Sequence, residues 1–339
     1  MPEVAMEAYG SWLRLLRVDP TEFLLGDDPG VAWRSLVVLL GYGADSLEVT
    51  RTRLEAREKG LAAAILAGQS SAGYWGSPLA YAARWTGTAW HVSALAQLGA
   101  DPEDPRVTRA AEVLLEVLHP RFGGFATTRH TPPSPCFTAE TCAALVRLGL
   151  GRHARVREAV AWLTAQSTVG WPCSEQRHLV DGSCLVATVA ALRVVAHHAP
   201  EERSGLAGLA DRAAGWLEER GFFRAGSSPP GWWELAHPCL HRVDVLDALA
   251  AMAKLGRRPS AEILIALLGL LARQSSEGRW NQQLRVPFGE PVGQASRWVT
   301  LKAATALAAY GSSLAQANER ALAGAACSAP VGDAGPTQV

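Results

Sequence analysis

The chain has 339 residues, 48% of them hydrophobic, with 32 basic and 32 acidic side chains and a formal net charge of zero. That length suffices for a large buried core. The balance of charge removes the electrostatic drive toward nucleic acid or an anionic membrane, and no apolar run reaches the roughly 18–20 residues of a spanning helix.

The N-terminal stretch MPEVAMEAYGSWLRLLRVDP has acids where a secretory signal needs a basic start. A cytoplasmic protein is expected, and in a large cytosolic chain its six cysteines are not expected to form disulfides. Apolar positions recur at helical spacing almost throughout, and alternating runs of β-branched and aromatic residues are absent, so the fold class is all-α. In chain order, an N-terminal pair of helices (about 4–17 and 30–41) precedes two alternating sets. One set covers about 48–67, 104–118, 153–165, 203–220 and 259–273. The other covers about 79–98, 136–149, 184–197, 239–255 and 295–310, and a last helix covers about 313–324. We read residues 1–325 as one domain: N-terminal helices to 47, paired-helix repeats over 48–312, and the last helix at 313–325. Residues 326–339 are small and polar and read as a disordered tail.

The turns between the pairs resemble one another. Gln69-Ser-Ser-Ala-Gly73-Tyr-Trp75, Gln166-Ser-Thr-Val-Gly170-Trp171 and Gln274-Ser-Ser-Glu-Gly278-Arg-Trp280 share a Gln, a Gly four residues later and a nearby Trp. Arg121 to Phe125 and Pro229 to Trp233 are more distant copies. Gly73, Gly123, Gly170, Gly231 and Gly278 fall about 47–61 residues apart, the period of a helical-pair repeat. At such a turn Gln can satisfy free backbone groups, Gly can take a positive φ, and Trp can cover the joint. Five or six pairs suit closure into an α/α toroid (barrel), with the inner helices around a central cavity.

Gln-x-x-x-Gly-x-Trp, complete at Gln69–Trp75 and Gln274–Trp280, resembles the QW motif of squalene–hopene and oxidosqualene cyclases. The repeat also looks like that of the protein prenyltransferase β subunits, and stretches such as SPCFTAETCAALVRLGL and SRWVTLKAATALAAYG resemble bacterial prenyltransferase/squalene oxidase repeat proteins. The resemblance covers about residues 30–310. It implies an α/α toroid, a hydrophobic isoprenoid-like substrate and, from the β subunits, a zinc near inner-helix ends and a partner subunit. Two family signatures are missing: the Asp-x-Asp-Asp that protonates substrate in class II cyclases, and the Asp-Asp-x-x-Asp that grips magnesium diphosphate in class I enzymes.

Cys136, Cys184 and Cys239 each fall at or just before the start of an expected inner helix, where a thiol ionises more readily. Cys173 follows the Trp171 turn. Metal ligands, core thiols and a catalytic thiolate all fit this pattern. In the metal reading Cys136, Cys173, Cys184 and Asp181 hold zinc at the cavity mouth, with His178, His130 and His237 as other fourth ligands and Cys239 as substitute. Cys142 and Cys327 are read as bystanders. Glu140, one turn after Cys136, and Asp244 and Asp247 are candidate acid–base groups; helix capping or pairing with arginine would equally account for them. Trp85, Trp90, Phe137, Trp232, Trp233 and Trp298 are candidate cavity-lining aromatics, able to stabilise a cation. His197-His198, at a helix end, reads as capping.

Overall fold

A computed structural model describes residues 12–327 except 119, 120, 129, 169, 174, 176, 177 and 225–227, with backbone alone from 316 onward. The expected first helix lies mostly outside these residues, as do the expected tail and the side chain of Cys327. The described chain is predominantly helical, with one short hairpin at Leu179–Val180 and Ser183–Cys184.

The helices that organise the fold are α1 (Pro29–Val38), α2 (Leu47–Glu55), α3 (Gly60–Ala67), α4 (Thr88–Gln97), α5 (Pro105–Leu115) and α6 (Pro135–Leu145), followed by α7 (Ala154–Ala165), α8 (Leu185–His197), α9 (Ala207–Glu219), α10 (Val245–Lys254), α11 (Ala261–Ala272) and α12 (Arg297–Cys327). Sequence sets several of their starts. Asp28-Pro29, Asp104-Pro105 and Ser134-Pro135 each place an oxygen cap before a proline whose missing N–H costs the helix nothing.

Two kinds of helix alternate. In α4 and α6 every residue is buried, and in α8 Leu185 to Ala196 are. In α7 and α11 burial is confined to one stripe, Val156, Ala159, Val160 and Leu163 in the first and Ile263, Ala266, Leu267 and Leu270 in the second. The buried helices pack in succession, α4 on α6, α6 on α8, α8 on α10, α10 on α12 and α12 on α1. From α1, Trp33 Nε1 donates to Gly99 O (2.9 Å) just beyond α4. The striped helices lie behind: α3 and α5 on α4, α7 on α6, α9 on α8 and α11 on α12.

The shared turns perform one job each time. Trp75, Trp171 and Trp280 are buried, and each indole N–H donates to a carbonyl near the end of the preceding striped helix: Ile65 O at 3.0 Å, Leu163 O at 3.1 Å and Leu270 O at 2.9 Å. Their backbone N–H groups donate to hydroxyls at the head of the next buried helix, Thr88, Ser183 and Thr300. Gln69 and Gln274 donate to the carbonyls of Gly73 and Gly278 and reach a neighbouring repeat through Arg106 O and Val18 O. Gly278 has φ +81°, and a Cβ there would lie 2.5 Å from Val18 O.

The structure redraws several expected boundaries. The helix expected over 48–67 is two helices, because Gly60 takes φ +86°. That expected over 79–98 begins only at Thr88, after a run of tight turns. Cys239 lies ahead of α10, whose cap is Asp244, so it does not start an inner helix. The helix expected to stop near 310 continues, because Gly311 does not break it; a Cβ there would come 2.5 Å from Trp12 Cβ, so this glycine makes room for the indole.

Candidate metal centre and central cavity

Four donors converge at the N-terminal ends of α6 and α8. Cys136 is the second residue of α6, and Cys184 caps α8, its Sγ accepting from Ala187 N at 3.4 Å. Cys173 lies in the loop after Trp171, and His178 immediately precedes the hairpin. The three sulfurs and a ring nitrogen of His178 all lie within 4.8 Å of one another. Cys136 and Cys173 are 3.8 Å apart at sulfur, and His178 Nδ1 is 3.8 Å from Cys173 Sγ. A tetrahedral ion bonded to sulfur at about 2.3 Å spaces its sulfurs about 3.8 Å apart. The donor set, three thiols and one imidazole, is the kind a soft divalent ion takes.

The electrostatics agree with shared occupancy. Hydrogen bonds from Cys136 and Cys184 hold Cys173 well below the ordinary thiol range. Its bond to Cys173 pushes Cys136 up to about 12, and bonds to both other sulfurs, with burial, push Cys184 up as well. Thiols clustered this closely are arranged to exchange protons for a shared cation. Cys142 is separate and buried, with a thiol pushed up by desolvation alone.

Asp181 is not among the donors. It is the first of the two turn residues, Asp181 and Gly182, both at positive φ, that join the hairpin strands. That turn carries its carboxylate outward, 66% exposed, to Arg220 at 3.4 Å. His178, buried just ahead of the hairpin, is the fourth donor of the group. His130 and His237 are also absent from the group.

A residue not anticipated from sequence borders the centre. His241 Nε2 lies 3.5 Å from Cys136 Sγ, and its ring meets His178 edge-on at 4.4 Å. Its backbone N–H donates to Glu140 Oε1 at 2.6 Å. Trp90 packs against His241 and Phe137, and Trp85 against Trp90, so these three aromatics screen the metal end. Glu140 is buried, with Oε2 unpartnered among the described residues. Desolvation pushes its carboxyl up to about 8, against the opposing pull of Arg193.

A second cluster, Cys239, Asp244 and Asp247, also has donors within 4.8 Å. Here the cation is a side chain: Lys302 Nζ lies 2.9 Å from Asp247, 3.7 Å from Asp244 and 4.0 Å from Cys239 Sγ. Asp244 is the cap of α10, accepting from Asp247 N and Ala236 N, and its carboxyl is pushed up by burial. Asp247 is held down, its own desolvation outweighed by Lys302 and Arg193.

A separate cavity has a volume of about 550 Å³. Gln97, Arg147, Arg193, His197 and Lys254 line it from the C-terminal parts of α4, α8 and α10 and from just past α6. Thirteen residues of α8 separate Cys184 from His197, roughly 20 Å at helical rise. Cys136, Cys173, Cys184 and His178 are not among the residues that line this cavity, whereas Asp247 and Arg193 are. Of the aromatics singled out in the sequence, Trp298 lines the cavity, stacked on His237 at 5.2 Å. Trp232 is core, packed on Phe222 and Phe223, and Trp233 is half-buried beneath Arg273. His198 bonds Val194 O in the expected capping manner, whereas His197 faces the cavity.

No family model matches the chain, and no curated protein matches it. Among solved structures it is similar to the type II terpene cyclase MstE from Scytonema in its apo form, with TM-score 0.32 and 14% identity over 74% of this chain and 96% of that chain. A variant of that cyclase in complex with geranylgeranyl dihydroxybenzoate gives TM-score 0.32 and 16% identity, over 80% of this chain and 99% of that chain. Likenesses of this size leave function to the geometry of the chain itself. Among the described residues no helix is long and apolar enough to cross a membrane.

Proposed function

We propose that the chain is an α/α toroid of the terpenoid cyclase and prenyltransferase-like kind, and an enzyme acting on a hydrophobic, isoprenoid-like small molecule in its central cavity. The observation that carries this reading is the cavity of about 550 Å³, walled by Leu39, Ala250, Ala251, Trp298, Leu301 and Ala308 with a few charged groups converging on it. A mostly apolar chamber with a small set of aimed polar groups is the usual form of a small-molecule site. The experiment is binding of farnesol, followed by isothermal titration calorimetry, to the native chain and to Ala251→Trp, which fills the chamber. Binding that the substitution abolishes is expected. Absence of binding to the native chain, or equal binding to both, overturns the reading.

Zinc belongs to the same proposal, held by Cys136, Cys173, Cys184 and His178. Four protein donors make a closed, structural centre, which would tie the heads of α6 and α8 to the loop between Cys173 and His178. A second reading has its own observation. Glu140 is buried and stays protonated near neutral pH, as a proton donor to an apolar substrate must be. In this metal-independent cyclase reading Glu140→Gln abolishes turnover of a polyprenyl substrate while farnesol binding persists; unchanged turnover removes it.

A further inference from the structure

Among 32 basic side chains the chain has only three lysines, Lys59, Lys254 and Lys302, and two of them line the cavity. Arginine serves almost everywhere else. The distinction is chemical: a guanidinium is always charged and only donates, whereas an amine can lose its proton and accept. Lys302 is accounted for by its bridge to Asp247 and Asp244. Lys254 has no carboxylate within ion-pair distance among the described residues.

The surroundings of Lys254 restrict its protonation state. His197 stands between two basic groups, with Arg147 Nη1 3.4 Å from its Nε2 and Lys254 Nζ 3.0 Å from its Nδ1. The guanidinium can only donate, so Nε2 must accept. A neutral imidazole then carries its proton on Nδ1 and donates it toward Lys254. Only an amine with a free lone pair can receive that bond. With Lys254 as an ammonium, one of the two contacts would set donor against donor. An imidazolium would do so at both.

The charges around this trio act in one direction. Arg34 reaches it from α1, Arg147 from the end of α6, Arg193 from α8, and Arg203 donates to Lys254 O at 3.0 Å. Asp247 is the cavity's acid, and Lys302 neutralises it. Lys254 keeps one side open to solvent, and desolvation of its cavity-facing side, then Arg147, Arg34 and Arg203, push the amine down to about 7. Burial, with Arg147 beside it, pushes the His197 imidazole well below its ordinary range. Nε of Arg34, Nε of Arg147 and Nη1 of Arg193 are buried and unpartnered among the described residues, leaving three guanidiniums with spare donors on the cavity. Partial negative charge at the ends of α6, α8 and α10 offsets about half a unit each, which leaves the rim positive.

The geometry points to Lys254 as a free-amine nucleophile at the cavity rim, set to form an imine with a carbonyl compound whose anionic group the arginines hold. The lone pair of Nζ attacks the carbonyl carbon and a C–N bond forms, giving a carbinolamine. The C–O bond then breaks, and the oxygen leaves as water with the two hydrogens that the amine loses. No oxidant or reductant takes part. His197, hydrogen-bonded to Nζ, is the positioning residue for this proton traffic. The inference uses the cavity of the proposed function but rests on the groups at its rim, and it needs neither zinc nor turnover.

The test is competitive labelling of the native protein at pH 7.5. Pyridoxal 5′-phosphate serves as a probe aldehyde with an anionic group, the imine is fixed with borohydride, and each lysine is read by peptide mass spectrometry. Lys59, exposed like Lys254 but outside this cavity, is the internal control. Because the neutral fraction of an ordinary lysine is small at this pH, Lys254 is expected to label at least about tenfold faster than Lys59, with its rate rising through pH 7. Pyridoxal, which lacks the phosphate, is expected to label Lys254 more slowly. Labelling of Lys254 no faster than Lys59, or equally fast with both aldehydes, overturns the inference. Either failure leaves farnesol binding, and hence the proposed function, untouched.

Discussion

The sulfurs of Cys136 and Cys173 stand 3.8 Å apart although 37 residues separate them in the chain. That distance is too long for a disulfide and matches two corners of a tetrahedral metal site. The two residues belong to different elements, the head of α6 and the loop after Trp171. The repeat brings them together, since each buried helix starts beside its neighbour.

The first prediction concerns that centre. Protein purified without chelators should contain about one zinc per chain, falling below about 0.2 in Cys184→Ser and in His178→Ala. Asp181→Ala should keep the metal, because its carboxylate pairs with Arg220 on the surface. Elemental analysis by plasma mass spectrometry decides it; equal zinc in all four proteins, or none in the native chain, rejects the assignment.

Glu140 should make stability depend on pH. Folded, it holds its proton up to about pH 8, whereas the unfolded chain releases it near 4.5. Between these values the folded state binds more protons, so stability is fully present below about pH 4.5 and is lost as pH rises through 8. Urea titrations at pH 5 and pH 8 should show Glu140→Gln gaining on the native chain with rising pH, by on the order of 4 kcal/mol at most. A difference independent of pH would contradict the assignment.

Lys302 holds two buried carboxylates. Lys302→Met should destabilise by about 3–5 kcal/mol, because Asp247 and Asp244 lose their cation. Adding Asp247→Leu should restore part of that loss in a double-mutant cycle. Additive effects of the two substitutions would mean that the pair is not coupled.

The turn hydroxyls should matter more than their size suggests. Thr300 Oγ1 accepts from Trp280 N at 3.0 Å in a buried setting. Thr300→Val keeps the shape and orphans that N–H, at a cost of about 1–3 kcal/mol in chemical denaturation. The equivalent change at Thr305, whose hydroxyl bonds within its own helix to Leu301 O, should cost less.

Much of the helical order was legible because the repeat states it several times. Gln69, Gly73 and Trp75 recur as Gln274, Gly278 and Trp280, and the same hydrogen bonds recur with them. The hydroxyl partners Thr88, Ser183 and Thr300 recur in the same role at unequal spacing, 13, 12 and 20 residues past the tryptophans. Such polar residues are common enough at helix heads that spacing alone does not single them out. At the candidate metal centre, the three cysteines could be named from their places at helix starts and after a turn. That His178 and not Asp181 joins them could not, since it depends on the hairpin turn carrying Asp181 outward while the residue ahead of it stays buried.

By itself, the sequence determined the all-α character, the pairing of buried with one-faced helices and the turns that splice them, because periodicity, caps and glycine placement are local properties. Only the tertiary structure decided which donors meet, that Lys302 sits against Asp247, and that the clustered cysteines do not line the cavity. Those outcomes depend on contacts between residues far apart in sequence, such as Cys136 with His241 and Lys254 with His197. Distances of that kind are set by how the helices pack, and no short stretch of the chain encodes them.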